Sequence, residues 1–415
     1  MSEATEIYTA LEEACVKKQF NTVEELLKKF AEIIAEEKKA SQELYIKGII
    51  KALTTFKGKF PVSKIRSFIE NVEQIVKENP THEELAISYA KILRSSLIAI
   101  KTKGQPYLMR EIITDLENFA KNYPENVTIY EELSMASNEI INYWKKRGDY
   151  KALQEQSKKL REFAKKFPEN ETIQLQLSKS IVAEIGSIRK LDIGKIDKLL
   201  LEIQNLSESR PTNKGLQLEW VHAYRTAMDR SEEKPKDAKR WLESMKKIAG
   251  DKKDIAFRIE LAKGYKNAII VLGAKSEELK KLLAEFNALI DNTTPNVELY
   301  TVYAQTLLEA LKIIGITNYQ NTKEILGRLR KLLDDFPEAK PILNAYLESL
   351  VGIIGLLSNE KKGEEVYELL KSFEDLQQRF PKDKTVQLVY QQLTDILRML
   401  GFKKQKRKNV RPEYL

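Results

Sequence analysis

Cysteine is almost missing from this chain of 415 residues: Cys15 stands alone. One thiol closes no internal disulfide. With only two histidines, His82 and His222, there is no cluster to hold a structural zinc either. A reducing compartment is the expectation. Glycine and proline are scarce, at 16 and 12 residues, which excludes collagen-like and low-complexity chains and leaves few turns for a strand-rich fold. No apolar run approaches about 18 residues; the richest, Ala268 to Leu272, is a few residues long, so no membrane partner is expected. The start, Met1 to Glu6, is acidic and lacks an apolar core, so neither a signal nor a transit peptide is expected there. A glycine-rich phosphate loop, a nucleophile elbow and an HExxH motif are all missing.

What is present is charged and hydrophobic side chains, 32% and 42% of the chain. That is the profile of long helices, and the fold class expected is all-α. The length exceeds what one compact core holds, but an array whose core grows along one axis escapes that limit. The net charge of +9 is concentrated at one end. From Lys403 to Leu415 six basic residues (Lys403, Lys404, Lys406, Arg407, Lys408, Arg411) face one acid, Glu413, a net of +5; the rest carries +9 − 5 = +4.

The repeat is marked by its prolines. Tyr123-Pro124, Phe167-Pro168, Phe336-Pro337 and Phe380-Pro381, joined by Asn79-Pro80, Arg210-Pro211 and Thr294-Pro295, are spaced 44, 44, 43, 84, 42 and 44 residues apart. The double step places an unmarked boundary near Lys252, and a further one falls near Glu36. Five residues after each proline stand Leu85, Ile129, Ile173, Leu216, Tyr300, Ile342 and Val386; eight before it stand Val72, Leu116, Leu160, Ile203, Asn287, Leu329 and Phe373. With further apolar positions at helical spacing, these columns define helix A after the proline and helix B before it. Asn287 is the polar exception. Proline bars helical geometry in the residue before it, and the Glu-Asn or Lys-Asp that follows caps the next helix. Breaks such as Arg147-Gly148-Asp149-Tyr150 and Lys362-Gly363 separate A from B. A lone hairpin cannot bury enough surface to offset its ordering, so each must stack on neighbours.

Gly148-Asp149-Tyr150-Lys151-Ala152-Leu153, followed by Phe163 to Asn170, resembles the turn, second helix and proline exit of a tetratricopeptide repeat. That family repeats every ~34 residues and this chain every 42 to 44, so each helix is longer. The Trp-Leu-Gly-Tyr signature of the family's first helix does not recur, which keeps HEAT- or armadillo-like stacking open as the alternative. The fold expected is an α-solenoid of stacked antiparallel helix hairpins, a tetratricopeptide-like right-handed superhelix. Residues 1–36 form a capping hairpin, 37–383 eight repeats, 384–402 a capping helix and 403–415 a basic tail.

In such families helix A lines the concave groove. The resemblance therefore implies partner-binding candidates on helix A off the buried stripe: Arg94, Asn138, Arg225, Glu309 and Asp395 at fourteen after the proline, Tyr130, Gln174, Gln217 and Gln387 at six after it. Mixed in sign and mostly neutral, they suit a protein or extended peptide better than a phosphate backbone. The Lys and Asn pattern of the family's carboxylate clamp is not found. His82 reads as a cap residue and His222, beside Trp220, as packing; Cys15 sits among Glu12, Glu13 and Ala14, a setting that raises a thiol pKa. The acid pairs Glu36-Glu37, Glu83-Glu84, Glu232-Glu233, Glu277-Glu278 and Asp334-Asp335 read as solvated helix ends. The expectation is a non-catalytic, cytoplasmic scaffold with no cofactor or metal, binding a protein or peptide. The alternatives are a nucleic-acid or ribosome-associated protein engaging RNA or DNA through the tail, and an accessory subunit of an enzyme complex. The sequence takes no side on self-association.

Overall fold

A computed structural model describes residues 2–34, 40–189, 192–231, 234–273 and 276–399. The tail 403–415, the boundary near Glu36, and the pairs Glu36-Glu37 and Glu232-Glu233 lie outside them. Contacts divide the chain into two compact units, Met1–Ala223 and Tyr224–Leu415. The described residues hold nineteen α-helices and no strand.

The first unit contains α1 (Glu3–Val16), α2 (Phe20–Ile34), α3 (Ala40–Thr55), α4 (Val62–Glu78), α5 (Glu83–Lys101), α6 (Pro106–Lys121), α7 (Val127–Arg147), α8 (Tyr150–Lys166), α9 (Glu171–Ser187) and α10 (Ile193–Glu208). The dividing line falls inside α11 (Lys214–Met228). The second unit continues with α12 (Pro235–Ala249), α13 (Ile255–Leu272), α14 (Ser276–Asp291), α15 (Val297–Ile314), α16 (Tyr319–Asp335), α17 (Lys340–Asn359), α18 (Gly363–Arg379) and α19 (Lys384–Met399). The unmarked boundary lies where the spacing predicts it, in the loop between α12 and α13 that holds Lys252.

Each unit is a solenoid-type stack in which helices touch only near neighbours in sequence. The odd helices lie directly against one another, α1 on α3 on α5 on α7 on α9, and α13 on α15 on α17 on α19. The backbones of the even helices do not approach one another among the described residues; only long side chains reach across, as Arg66 on α4 does to Glu111 on α6. Side-chain size explains the asymmetry. The odd helices carry buried small residues, among them Ala90, Ser95, Ser96, Ser134, Ala136, Ser137, Ser178 and Ser180. Such residues let backbones approach, and the hydroxyls of Ser134, Ser137, Ser178 and Ser180 are satisfied within their own helix, Ser137 donating to Leu133 O at 2.8 Å and Ser178 to Gln174 O at 3.1 Å. The even helices spread apart, leaving grooves between them floored by the odd layer.

The register read from the prolines is the register of the core. Leu85, Ile129, Ile173, Leu216, Ile342 and Val386 are each 0% exposed, as are Val72, Leu116, Leu160, Ile203, Leu329 and Phe373. Asn287 departs from its column because its Oδ1 accepts a hydrogen bond from the Tyr303 hydroxyl at 2.5 Å. At the exits Asn79, Phe167, Phe336 and Phe380 leave helical geometry, with φ between −121° and −135° and ψ between 57° and 67°, as the following proline requires. Asn126, Asn170, Asn213 and Asn296 then cap the next helix, each Oδ1 accepting from a backbone N–H at 2.9–3.1 Å. Gly148 ends α7 in the left-handed region at φ 72°, the conformation glycine adopts without a Cβ penalty. In the corresponding turn before α18 the left-handed residue is Lys361, at φ 58°, and Gly363 opens the helix.

One helix, α17, is long and apolar enough to cross a membrane by length and composition, although sequence runs had pointed to none; 61% of that stretch is buried inside the fold. It touches α15, α16, α18 and α19, and reads as a core helix of the second unit.

Candidate functional site

Most helix A positions expected to face a groove are instead the mortar between helices. Four of the nine are buried: Tyr130 at 7% exposed, Asn138 at 5%, Gln174 at 3% and Gln217 at 8%. Tyr130 packs on Phe163 and Phe167 of its own hairpin, ring centroids 5.6 and 4.9 Å away. Gln174 Nε2 donates to Ala164 O at 2.8 Å and Phe167 O at 3.1 Å, and Gln217 Nε2 to Ser207 O at 3.1 Å. These glutamines satisfy carbonyls left over at the ends of α8 and α10. Gln387 is half-buried, its Oε1 accepting from Gln377 Nε2 at 2.7 Å.

The residues fourteen after the proline are rungs between successive odd helices. Arg94 on α5 pairs with Glu132 on α7, and Asn138 on α7 donates to the backbone O and Oε1 of Gln176 on α9 at 2.6 and 3.0 Å. Arg225 on α11 pairs with Glu260 on α13 at 2.7 Å and with Asp229 at 3.1 Å. In each rung the second residue stands eight after its own repeat boundary. Arg94, Asn138 and Arg225 thus meet the following hairpin, Gln174 and Gln217 the preceding one and Tyr130 its own, so these side chains are engaged within the stack. Glu309 accepts from Lys312 at 3.0 Å, which also reaches Glu348 at 3.0 Å; Asp395 is half-buried beside Arg398 at 3.5 Å. The six tail residues lie outside the described residues.

What the odd helices of the first unit do present is a different stripe, seven and eleven after the proline. Ile87 and Lys91 on α5, Glu131 and Met135 on α7, Leu175 and Lys179 on α9, and Leu218 and His222 on α11 are all half-buried or exposed. His222 belongs to it, with Nδ1 3.3 Å from Glu219. His82 does cap α5, its Nδ1 accepting from Leu85 N at 3.4 Å.

The second candidate lies on the other layer. Between α4 and α6, floored by Tyr89 of α5, is a groove of about 770 Å³, within the size range of ligand sites. Arg66 on α4 bridges to Glu111 on α6 at 3.0 Å, and Glu73 pairs with Lys77 at 2.6 Å. Tyr89 is 5% exposed and packs edge-on against Phe119 at 4.9 Å. Its hydroxyl has no hydrogen-bond partner among the described residues, and burial, with the nearby Glu73 and Asp115 carboxylates, pushes its pKa well up. Asp115 makes no hydrogen bond or ion pair there either; partial burial, then Glu111 and Glu73, raise its pKa. Four acids (Glu70, Glu73, Glu111, Asp115) meet two cations (Arg66, Lys77) in this groove. A similar groove between α14 and α16, about 520 Å³, has its polar groups engaged: Asn287 and Arg328 both bond to the Tyr303 hydroxyl.

Other chemistry-bearing residues have structural settings. No group of three or more His, Cys, Asp or Glu could hold a metal among the described residues. Asp334 sits at the C-terminal end of α16, against the helix dipole, and is met by Arg379 at 2.7 Å. Cys15 is 2% exposed, and burial pushes its thiol pKa up, with Glu12 a minor contributor. Alkylation of the native protein by iodoacetamide is expected to run at least ~100-fold slower than in urea, since the thiol must wait for local opening and then ionise. Equal rates in a mass-spectrometric time course would contradict that burial. Comparison with protein-family models and with curated proteins returned no match.

Proposed function

We propose that the chain is a non-catalytic interaction scaffold of the tetratricopeptide-like kind, working in the cytoplasm, whose odd-helix layer docks a protein or an extended peptide. The observation that carries this is the stripe Ile87/Lys91, Glu131/Met135, Leu175/Lys179 and Leu218/His222. Adjacent odd helices each contribute one half-open position of either kind. Apolar and charged groups of both signs alternate along it. An extended peptide offers the same alternation to a surface, whereas a phosphate backbone needs one sign throughout.

The test is selection of a displayed peptide library on the full chain, followed by calorimetry with a selected peptide. The paired substitution Met135→Glu and Leu175→Glu is expected to weaken binding about 10-fold or more, by removing apolar anchors worth over 1 kcal/mol each. Removal of Lys403 to Leu415 is expected to leave the affinity unchanged. A library that yields no binder, or one indifferent to the stripe, sinks the reading. A chain that instead binds RNA with a steep salt dependence, lost with the tail, establishes the nucleic-acid alternative that the six basic residues support.

A further inference from the structure

Beyond the odd-helix face, we propose that the groove between α4 and α6 is a second site, which takes a basic, extended segment of a partner protein and holds a lysine or arginine side chain between Glu73 and Asp115, above Tyr89. Three observations converge on a cationic occupant. The acids outnumber the cations four to two in a protein whose net charge is +9, so the local sign runs against that of the chain. Arg66 and Lys77 are already committed, to Glu111 and Glu73, which leaves Glu70 and Asp115 uncompensated. At the floor, the Tyr89 hydroxyl has no protein partner among the described residues and lines the groove where an incoming N–H donor can reach it.

Shape favours an extended segment over a compact ion. The lining runs from Arg66 to Lys77 along α4, about 17 Å at 1.5 Å per residue, the length of roughly five extended residues. Phe119 and Tyr123 give the aliphatic stem of a long basic side chain an aromatic wall. The groove exists because the backbones of α4 and α6 stand apart.

Fluorescence anisotropy of a labelled nona-arginine peptide with the full chain tests the proposal, with spermine as the comparison for a small polycation. Saturable binding is expected. Asp115→Asn is expected to weaken it about 10-fold, and the double variant with Glu73→Gln about 100-fold, through loss of charge-assisted hydrogen bonds. Tyr89→Phe, which keeps the packing on Phe119, is expected to weaken it by a few-fold. Glu277→Gln, an exposed acid in the other unit, leaves it unchanged, as does Met135→Glu, so failure here and failure of the odd-helix reading are separately visible. A photo-crosslinking peptide is expected to label α4 and α6. Absence of saturation, indifference to Asp115→Asn with native circular dichroism, spermine binding as tightly as the peptide, or labelling elsewhere overturns the proposal.

Discussion

Arg161→Ala is expected to destabilise the first unit by about 3 kcal/mol at neutral pH, more than any surface ion pair contributes. Arg161 on α8 ties three consecutive helices. Its Nη1 donates to Glu184 on α9 at 2.7 Å, while Nε and Nη2 grip both oxygens of Glu202 on α10 at 2.7 and 2.9 Å. Glu184 is 7% exposed, and burial raises its pKa even with the guanidinium beside it. Without Arg161 the carboxylate is left buried next to Glu202, which is the costly way to break such a pair; a quarter-exposed arginine puts the loss at the low end of the usual range. The sign with pH follows. A carboxyl whose folded pKa is raised costs nothing below its unfolded pKa of about 4.3, and costs increasingly as pH rises through the folded value. Urea midpoints should therefore show a larger deficit for Arg161→Ala at pH 8 than at pH 5. Adding Glu184→Gln should recover part of the loss at pH 8. A pH-independent deficit, or no recovery, would show that Arg161 acts through packing alone.

How much of this was legible in residues depends on which neighbour a position meets. Positions buried within a hairpin repeat their chemistry with the hairpin, so Leu160 or Ile173 announces itself by column, and the boundary at Lys252 follows from arithmetic without its proline. Positions buried between hairpins obey a second period that single columns do not display. Arg94 looks like an exposed cation until Glu132, eight after the next proline, is set against it; Arg225 and Glu260 repeat the pairing. That complementarity, and the recurrence of glutamine at Gln174, Gln217 and Gln387, were the signals available for reading these positions as contacts between repeats. The groove over Tyr89 had no such signal. It comes from the spacing of α4 and α6, which small residues on other helices set.

Trp241→Ala is expected to cost the second unit about 3–5 kcal/mol, the range for deleting a large buried aromatic side chain. Trp241 is 1% exposed and anchors α12, whose buried stripe is short: Ala238, Trp241, Leu242, Met245 and Ala249. The rest of that helix is largely Lys, Arg, Asp and Glu, so little else holds it to α13. Its seat is also tight, since a Cβ at Gly264 of α13 would lie 2.7 Å from Met245 Cε. Incomplete collapse around the space the indole leaves is what raises the cost of such a cavity. The odd layer should keep much of its protection while α12 opens, because in a stack each helix depends on its own contacts. Hydrogen exchange on the variant should accordingly show α12 amides exchanging far faster, with those of α15 and α17 less affected. Uniform loss of protection through the second unit would mean that α12 and α13 form one cooperative block with the rest. A denaturation midpoint close to that of the parent would mean that the indole is not the anchor.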